Sequence, residues 1–221
     1  SIPMWDMSIG YGSDIITTLH YYVIGDPLTL LSVFFRSSQT ESLYKILIFL
    51  RIYLAGIAFS RYSFYHKNSK QAVFMGTLIY IFAGWTIYGV IRHPYFANPM
   101  IYLPFILMGI DKIYKKEKPY VFIWSLAVAG LSNFYFFYMI GIFMVIYAIF
   151  RYFQQYTDFS LKNIAKWIGI FAGYSLIAVM IAAVILLPVI LPVFGTDRFN
   201  VENYVPLFYD KIYYEKYLGC L

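Results

Sequence analysis

Long apolar segments alternate with short polar loops along most of this chain. A transmembrane helix needs about 20 consecutive, mostly apolar residues. Four segments fit that length or come close to it, namely residues 43–62, 71–91, 97–113 and 163–187. A fifth apolar segment, 119–152, is too long for one helix, and Ser132 and Asn133 form a polar break near its middle. Dividing the segment at that point predicts six transmembrane helices.

The charges of the loops support this division. Ten of the 17 lysines and arginines lie in or beside three alternate loops: Arg61, Lys67, Lys70, Lys112, Lys115, Lys116, Lys118, Arg151, Lys162 and Lys166. Basic loops of membrane proteins face the cytoplasm, so these three loops are predicted to be cytoplasmic and the remaining ones extracytoplasmic. Treating 119–152 as one helix would put two strongly basic loops on opposite sides of the membrane.

The chain is therefore predicted to have three parts. Residues 1–42 form an extracytoplasmic loop, with one short helix after Asp14 and a second over 28–35 that lies in the membrane interface. Residues 43–192 form the transmembrane bundle, whose last helix is expected to end before Pro188. Residues 193–221 begin another extracytoplasmic segment. Both ends of the chain are expected to be truncated.

Composition agrees with lipid as the main solvent. Hydrophobic residues make up 61% of the chain and charged residues 13%, whereas soluble domains have about 45–50% and about 25%. The net charge of +6 does not indicate nucleic-acid binding, because the basic residues lie between apolar segments. The single cysteine, Cys220, excludes an internal disulfide. Walker, HExxH, CxxC and serine-nucleophile motifs are absent from this sequence, so a nucleotide-hydrolysing unit is not expected within it.

Acidic residues in the predicted outer loop are the first candidates for chemistry. Asp6, Asp14 and Asp26 lie there together with His20. A carboxylate beside the membrane surface can act as a general base or bind a metal or a sugar hydroxyl. The alternative is that these carboxylates cap helices. Capping is the favoured interpretation for Asp26, which precedes Pro27, whereas for Asp14 capping and a functional role are equally good interpretations.

Basic residues on the same predicted side are the second set of candidates. Arg92 and His93 end the second helix just before Pro94. An arginine there can hold a phosphate with two hydrogen bonds, although contact with lipid headgroups is an equally good interpretation. Arg198 is a weaker second candidate.

Polar residues inside the apolar segments have structural alternatives. A charge in the bilayer centre costs about 2.5–3.5 kcal/mol on insertion scales, so Arg51 is predicted to face the bundle and to have a partner. Asn133 precedes an aromatic run that includes Tyr135; such runs form interfacial belts or stack against sugars or polyprenyl chains. Gly169 and Gly173 are spaced for contact between helices.

Four segments taken in order resemble the YfhO family of bacterial membrane proteins. They read PMWDMSIGYGSDIITTLHYYVIGDPLTLLSVFF, RIYLAGIAFSRY, RHPYFANPMIYLPFILMGIDKI and SNFYFFYM. The resemblance covers nearly the whole chain, but only the first part of a typical family member. It implies a truncated, all-α, GT-C-like fold in the bacterial cytoplasmic membrane.

The resemblance also implies a function. GT-C-like enzymes transfer a sugar from a polyprenyl-phosphate donor to an extracytoplasmic acceptor, here a cell-wall polymer such as lipoteichoic acid. It assigns the catalytic role to Asp14 or Asp6 and the donor phosphate to Arg92, His93 and Arg198.

His20, Asn133 and Tyr135 are then expected to line the substrate site. The sequence requires no cofactor and leaves a divalent metal open. The alternatives are a transporter or flippase for a lipid-linked envelope precursor, and a structural scaffold.

Overall fold

The apolar segments fold into helices in a computed structural model that describes residues 5–7, 12–20, 24–90, 92–156 and 160–194. The α-helices of these residues are α1 (Ile15–His20), α2 (Thr40–Tyr65), α3 (Lys70–Ile81), α4 (Asn98–Tyr114), α5 (Tyr120–Ser132), α6 (Phe134–Gln155) and α7 (Leu161–Phe194). Strands β1 (Trp5–Asp6) and β2 (Ser13–Asp14) form a two-residue ladder. The predicted all-α membrane fold is confirmed.

Three helical segments are long and apolar enough to cross a membrane: Ser37–Tyr65, Phe134–Gln155 and Leu161–Leu191. The other helices of the bundle are shorter. The 13 residues of α5 extend about 20 Å at about 1.5 Å per residue, against a hydrocarbon core of about 30 Å. The lengths therefore support a membrane location, and the count of six spans stays a prediction.

The hydrophobic core is built mainly by α4 and α5. Ile106, Ile110 and Phe122 are completely buried there, and one face each of α2, α6 and α7 packs around them. Gly109 permits the close approach of α4 and α5, because a Cβ atom at this position would lie 2.7 Å from backbone atoms of Phe122.

The break between α5 and α6 falls where the sequence predicts it. Asn133 has an extended backbone, and its side-chain oxygen accepts hydrogen bonds from the N–H groups of Tyr135 at 2.9 Å and Phe136 at 3.1 Å. These contacts satisfy two of the N–H groups that every helix start leaves without a partner. One residue thus ends α5 and caps α6.

The second predicted helix, 71–91, is not continuous. Helix α3 ends at Ile81. Helical hydrogen bonding resumes at Ala83, whose carbonyl accepts hydrogen bonds from the backbone N–H groups of Thr86 at 2.9 Å and Ile87 at 3.2 Å. A π-helical turn over Thr86–Val90 follows. The glycine at position 84 disfavours a regular helix here, since glycine costs about 1 kcal/mol relative to alanine in a helix interior.

The last helix continues past the point where its end is predicted. Helix α7 runs to Phe194 through Pro188 and Pro192, so the expected end before Pro188 is wrong. A proline removes one backbone hydrogen bond, but in apolar surroundings a helix remains the best way to pair the other backbone groups.

Small residues in α7 do not pack as their spacing suggests. A Cβ atom at Gly169 or Gly173 would meet no heavy atom of the described chain within 4 Å. The predicted helix contact at these two residues is therefore wrong within the described chain. The reason is that α7 directs this face away from the core.

The N-terminal loop, predicted to be extracytoplasmic, contains the short helices expected there. Helix α1 begins directly after Asp14, and a 3₁₀ helix covers Thr29–Phe34. Val33 and Phe34 are about 80% exposed, at 79% and 83%. Exposed apolar side chains on a short helix are suited to a membrane interface, and that placement stays a prediction.

Candidate functional site

A buried ion pair joins the N-terminal loop, which is predicted to be extracytoplasmic, to the helix bundle. Arg51 of α2 is 1% exposed and Asp26 of the loop is 0% exposed. The Nη2 atom of Arg51 donates to the Oδ2 atom of Asp26, and also to the Thr29 hydroxyl at 3.0 Å. The prediction that Arg51 faces the bundle and has a partner is confirmed.

The same arginine continues the network into two further helices. Its Nε atom donates to Oδ1 of Asn98 at 3.0 Å, and Nδ2 of Asn98 donates to the Ser132 hydroxyl at 3.0 Å. Asn98 starts α4 and Ser132 ends α5. Polar side chains therefore connect the loop to α2, α4 and α5 at one end of the bundle, which is the predicted extracytoplasmic end.

Asp26 has two roles rather than one. Its Oδ1 atom accepts a hydrogen bond from the backbone N–H of Leu28 at 3.2 Å, and its Oδ2 atom accepts one from the Thr29 hydroxyl at 2.5 Å. The bond to Leu28 forms an Asx turn just before the 3₁₀ helix. The N-cap position of that helix is Leu28 and no side chain caps it, so the predicted N-cap role of Asp26 is wrong and the carboxylate acts one turn earlier. The pairing with Arg51 was not predicted from the sequence, because no local pattern connects two residues 25 positions apart.

His20 forms a second attachment of the loop. This last residue of α1 is fully buried, and its Nε2 atom lies 2.8 Å from the carbonyl oxygen of Leu131. Leu131 lies in the final turn of α5, where carbonyl groups have no partner within the helix. The His20 ring also stacks on Phe134, with 5.9 Å between the ring centres. His20 thus provides a hydrogen-bond partner for a carbonyl group at the end of α5.

The contact with Leu131 determines which nitrogen of His20 carries the proton. A carbonyl can only accept, so Nε2 donates and Nδ1 of the neutral ring has a lone pair. Among the described residues that Nδ1 atom has no hydrogen-bond partner. Burial lowers the pKa of His20, and the hydrogen bond to Leu131 opposes this shift to a smaller extent. Burial therefore favours the neutral form of the imidazole.

Gly25 brings the backbone of the loop close to the end of α5. Its φ of +91° lies in the left-handed region, and a Cβ atom would stand 2.0 Å from the Leu131 carbonyl oxygen. Any other residue here would displace the loop. The Leu131 carbonyl is thus contacted by His20 and closely approached by Gly25.

The two candidate catalytic aspartates lie on adjacent strands. In the antiparallel ladder Trp5 pairs with Asp14 and Asp6 pairs with Ser13. The backbones of Asp6 and Asp14 are therefore one ladder step apart, and Asp14 directly precedes α1. Their side-chain positions lie outside what the structure describes.

Arg92 and His93 begin the turn that precedes α4. The guanidinium carbon of Arg92 lies 4.8 Å from the ring centre of Tyr88, and the Arg92 carbonyl accepts a hydrogen bond from the Tyr44 hydroxyl at 3.3 Å. His93 is exposed, and its Nδ1 atom is 3.0 Å from the Tyr95 hydroxyl. Both basic side chains are accessible from outside the bundle.

Aromatic contacts link this turn to the start of α6. The rings of His93 and Phe96 are 5.0 Å apart, and Phe96 meets Phe136 edge-on at 5.1 Å. Tyr135 is 43% exposed beside Phe136. His20, through Phe134, contacts the same helix start.

The structure therefore gathers four of the predicted site residues around the start of α6: His20, His93, Asn133 and Tyr135. Asn133 has a structural task as the cap of α6, with its side-chain oxygen already bonded twice. Arg198 lies outside the described residues. No group of three or more His, Cys, Asp or Glu side chains that would hold a metal occurs in the described part of the chain.

A second charged cluster lies at the opposite end of the bundle. Asp111 is fully buried in the last turn of α4, and its carboxylate is 2.5 Å from Nε of Arg151, 2.8 Å from the Tyr147 hydroxyl and 3.0 Å from Nε2 of His66. Thirteen residue steps separate Asp111 from Asn98, which corresponds to about 20 Å along a helix. The sequence analysis counted Arg151 in or beside a loop and did not single out Asp111, although an acid near the end of an apolar segment was a usable signal.

The described residues form apolar helices of membrane-crossing length, and their buried carboxylates Asp26 and Asp111 are each paired with an arginine. These features define the chain as an integral membrane protein of the all-α class. It belongs to the YfhO family, since the model of "Bacterial membrane protein YfhO" matches residues 2–217.

The chain is similar to the uncharacterized protein YfhO of Bacillus subtilis (strain 168), with 27% identity over 207 residues. That match covers 84% of this chain and 23% of the Bacillus protein, so the chain spans about a quarter of the length of this relative. No solved structure matches the chain.

Proposed function

We propose that this chain is part of a GT-C-type glycosyltransferase of the bacterial cytoplasmic membrane. The enzyme moves a sugar from a polyprenyl-phosphate donor to an extracytoplasmic acceptor, such as a lipoteichoic-acid-like polymer. The observation that carries the proposal is the attachment of the loop that follows Asp14. Two buried contacts attach it to the bundle, from His20 to Leu131 and from Asp26 to Arg51.

Fixed attachment matters because a catalytic group must be held close to its productive position. Asp14 is six residues before His20, and α1 bridges the two. A short helix with a buried last residue restricts the movement of the residue at its start. Asp6 is the alternative, since its backbone lies one ladder step away.

The proposed reaction has one bond-forming and one bond-breaking event. A hydroxyl oxygen of the acceptor attacks the anomeric carbon of the sugar, and the bond from that carbon to the phosphate oxygen breaks. The acceptor proton passes to the carboxylate of Asp14, and the bond electrons leave with the polyprenyl phosphate. Arg92, His93 and Arg198 are proposed to stabilise the charge on this phosphate.

The aromatic start of α6 is suited to the border of such a site. Tyr135 presents an exposed ring beside the turn that carries Arg92 and His93. Aromatic faces stack against apolar faces of sugars and against polyprenyl chains. Because the side-chain oxygen of Asn133 is used in capping, that residue is proposed to shape the border and not to be a main ligand.

Sugar transfer by full-length protein in membranes tests the proposal directly. The assay follows labelled sugar from polyprenyl phosphate into envelope polymer for the variants Asp14→Asn and Asp6→Asn. Loss of a general base lowers the rate by about 10²–10⁴-fold, and that loss is expected for Asp14→Asn. Glu41→Gln is the control, because Glu41 is an exposed acid on the predicted same side, paired with Lys45. Near-normal transfer in both aspartate variants would overturn the catalytic assignment.

A second candidate is a transporter or flippase for a lipid-linked envelope precursor. It is favoured by the interrupted helix between Ile81 and the π-helical turn Thr86–Val90, because transporters build binding sites from broken helices. Sealed vesicles distinguish the two functions. Movement of the labelled lipid across the membrane with no glycosylated product would support transport and contradict the enzyme.

A further inference from the structure

A lateral groove runs along α2, between α3 and α4, and was not anticipated from the sequence. It encloses about 1130 Å³. Gly56, Ile57, Ile81, Phe105 and Met108 form its apolar walls. Its rim is accessible from the surroundings of the bundle, since Tyr53 is 67% exposed. The groove is separate from the polar network of Asp26 and Arg51.

The length of the groove corresponds to one membrane leaflet. Its lining on α2 extends from Ile52 to Tyr65 and uses residues three or four positions apart, which lie on one helix face. Thirteen residue steps cover about 20 Å. Half of a hydrocarbon core of about 30 Å is about 15 Å. The groove therefore accommodates a chain of one leaflet together with the start of its polar headgroup.

Polarity changes along the groove in the way that a phospholipid requires. The walls are apolar from Ile52 to Ile57, and the hydroxyls of Ser60 and Thr77 then meet at 2.9 Å across the floor. Arg61 and Lys112 line the far end.

The cations at this end are only partly compensated. Lys112 is 3.4 Å from Glu117, whereas the Arg61 side chain is exposed and makes no hydrogen bond or ion pair within the described chain. A second lysine, Lys115, lies 4.2 Å from the ring centre of Tyr65 at the same end. Three cations thus lie near the one carboxylate of Glu117, and the second carboxylate at this end, Asp111, is paired with Arg151. The end of the groove therefore carries net positive charge.

We propose that this groove binds one anionic glycerophospholipid. Its phosphate contacts Arg61 and Lys112, and one acyl chain lies against Gly56, Ile57 and Ile81. Basic pockets between transmembrane helices hold anionic headgroups on the cytoplasmic side, and arginine binds phosphate oxygens with two hydrogen bonds. The predicted topology puts the basic end of the groove in the cytoplasmic leaflet.

Spin-labelled lipids test this site in the full-length protein. The protein is reconstituted in phosphatidylcholine bilayers with a trace of labelled phosphatidylglycerol or labelled phosphatidylcholine, and electron spin resonance measures the immobilised fraction of each. The wild-type protein is expected to immobilise phosphatidylglycerol several-fold more strongly. The double variant Arg61→Gln with Lys112→Gln should bring phosphatidylglycerol to the level of phosphatidylcholine.

A matched control variant distinguishes lipid binding in the groove from general electrostatic attraction of anionic lipid to the protein. Lys67→Gln with Lys70→Gln removes the same charge on the same predicted side, from residues that do not line the groove. This control should keep most of the preference for phosphatidylglycerol. An equal loss in both double variants would overturn the proposal.

A shape variant tests the acyl-chain position independently of charge. Ile57→Trp fills the groove from its rim, whereas Ile79→Trp adds the same ring to a residue that is 71% exposed and outside the groove. Ile57→Trp should weaken the immobilisation of phosphatidylglycerol and Ile79→Trp should not. A wild-type protein that shows no preference for phosphatidylglycerol would overturn the proposal. This is the result expected if another protein segment covers the groove.

Discussion

Arg51 and Asp26 form an ion pair from which solvent is almost completely excluded, with exposed fractions of 1% and 0%. Arg51 belongs to a helix of membrane-crossing length and Asp26 to the loop before it. Burial of either charge alone is strongly unfavourable. The stability of the bundle therefore depends on the position of the loop that carries Asp26.

Breaking the pair from one side should destabilise the protein strongly. Arg51→Met or Asp26→Asn leaves one buried charge without its counterion, at a cost of about 3–5 kcal/mol. The double variant should recover part of that loss, because neither charge remains. Denaturant unfolding of the detergent-solubilised protein measures these differences.

The exposed pair of Lys45 and Glu41 is the control for this cycle. Its atoms are 2.6 Å apart, with side chains 66% and 83% exposed, and exposed pairs contribute about 0–1 kcal/mol. Lys45→Met should therefore have little effect. Strictly additive losses in the Arg51 and Asp26 double variant would contradict direct coupling.

Gly25→Ala should detach the loop from the end of α5. The new methyl group would stand 2.0 Å from the Leu131 carbonyl oxygen, at a φ of +91° that alanine disfavours. We expect lower thermal stability and faster proteolysis near residue 25. Gly84→Ala is the comparison, since a Cβ atom there meets nothing within 4 Å; it should be neutral or stabilising by about 0.5–1 kcal/mol. Similar behaviour of the two variants would show that the loop does not depend on this contact.

His20 should make stability depend on pH in the acidic range. Burial lowers its pKa in the folded state below the ordinary value of 6.5, so the unfolded chain takes up a proton first as the pH falls. Stability is therefore full above about pH 6.5, decreases as the pH falls below it, and levels off beneath the folded-state pKa. Melting temperatures between about pH 5 and pH 7.5 measure the slope.

Two variants identify the group responsible. His20→Gln keeps a donor for the Leu131 carbonyl but does not titrate, so its slope should be smaller than that of the wild-type protein. His93→Gln changes an exposed ring bonded to Tyr95 and should retain the wild-type slope. An unchanged slope in His20→Gln would exclude His20 as the source.

Asn133 should affect stability through its cap. Asn133→Ala removes the acceptor for two N–H groups of α6 and should cost about 0.5–2 kcal/mol. Asn133→Ser keeps a side-chain oxygen as acceptor without burying a charge, and should restore much of the stability. If sugar transfer recovers in parallel, the residue acts by positioning α6; if transfer stays low while stability recovers, its amide contacts the substrate.

Much of the fold could be predicted from hydrophobic pattern alone. The helix ends near Tyr65, Tyr114 and Ser132 agree with their prediction to within a few residues, because apolar runs and polar breaks act locally. The break at Asn133 is such a case, since its side chain bonds to N–H groups two and three residues away.

Other features depend on residues that are distant in sequence, so local sequence patterns did not predict them. Helix α7 passes Pro188 because its apolar surroundings leave the backbone no better partners. In the candidate site, the sequence indicated that Arg51 needs a partner but did not identify Asp26.

The sequence by itself determined the class of this protein: an all-α membrane protein of the YfhO family, with acids and bases concentrated in separate loops. Tertiary structure decided which charges meet. Asp26 reaches Arg51 across 25 positions and Asp111 reaches Arg151 across 40. Hydrophobicity is a property of each residue, so it can be read along the chain. The pairing of buried charges is a property of two residues, and only packing of the helices brings them together.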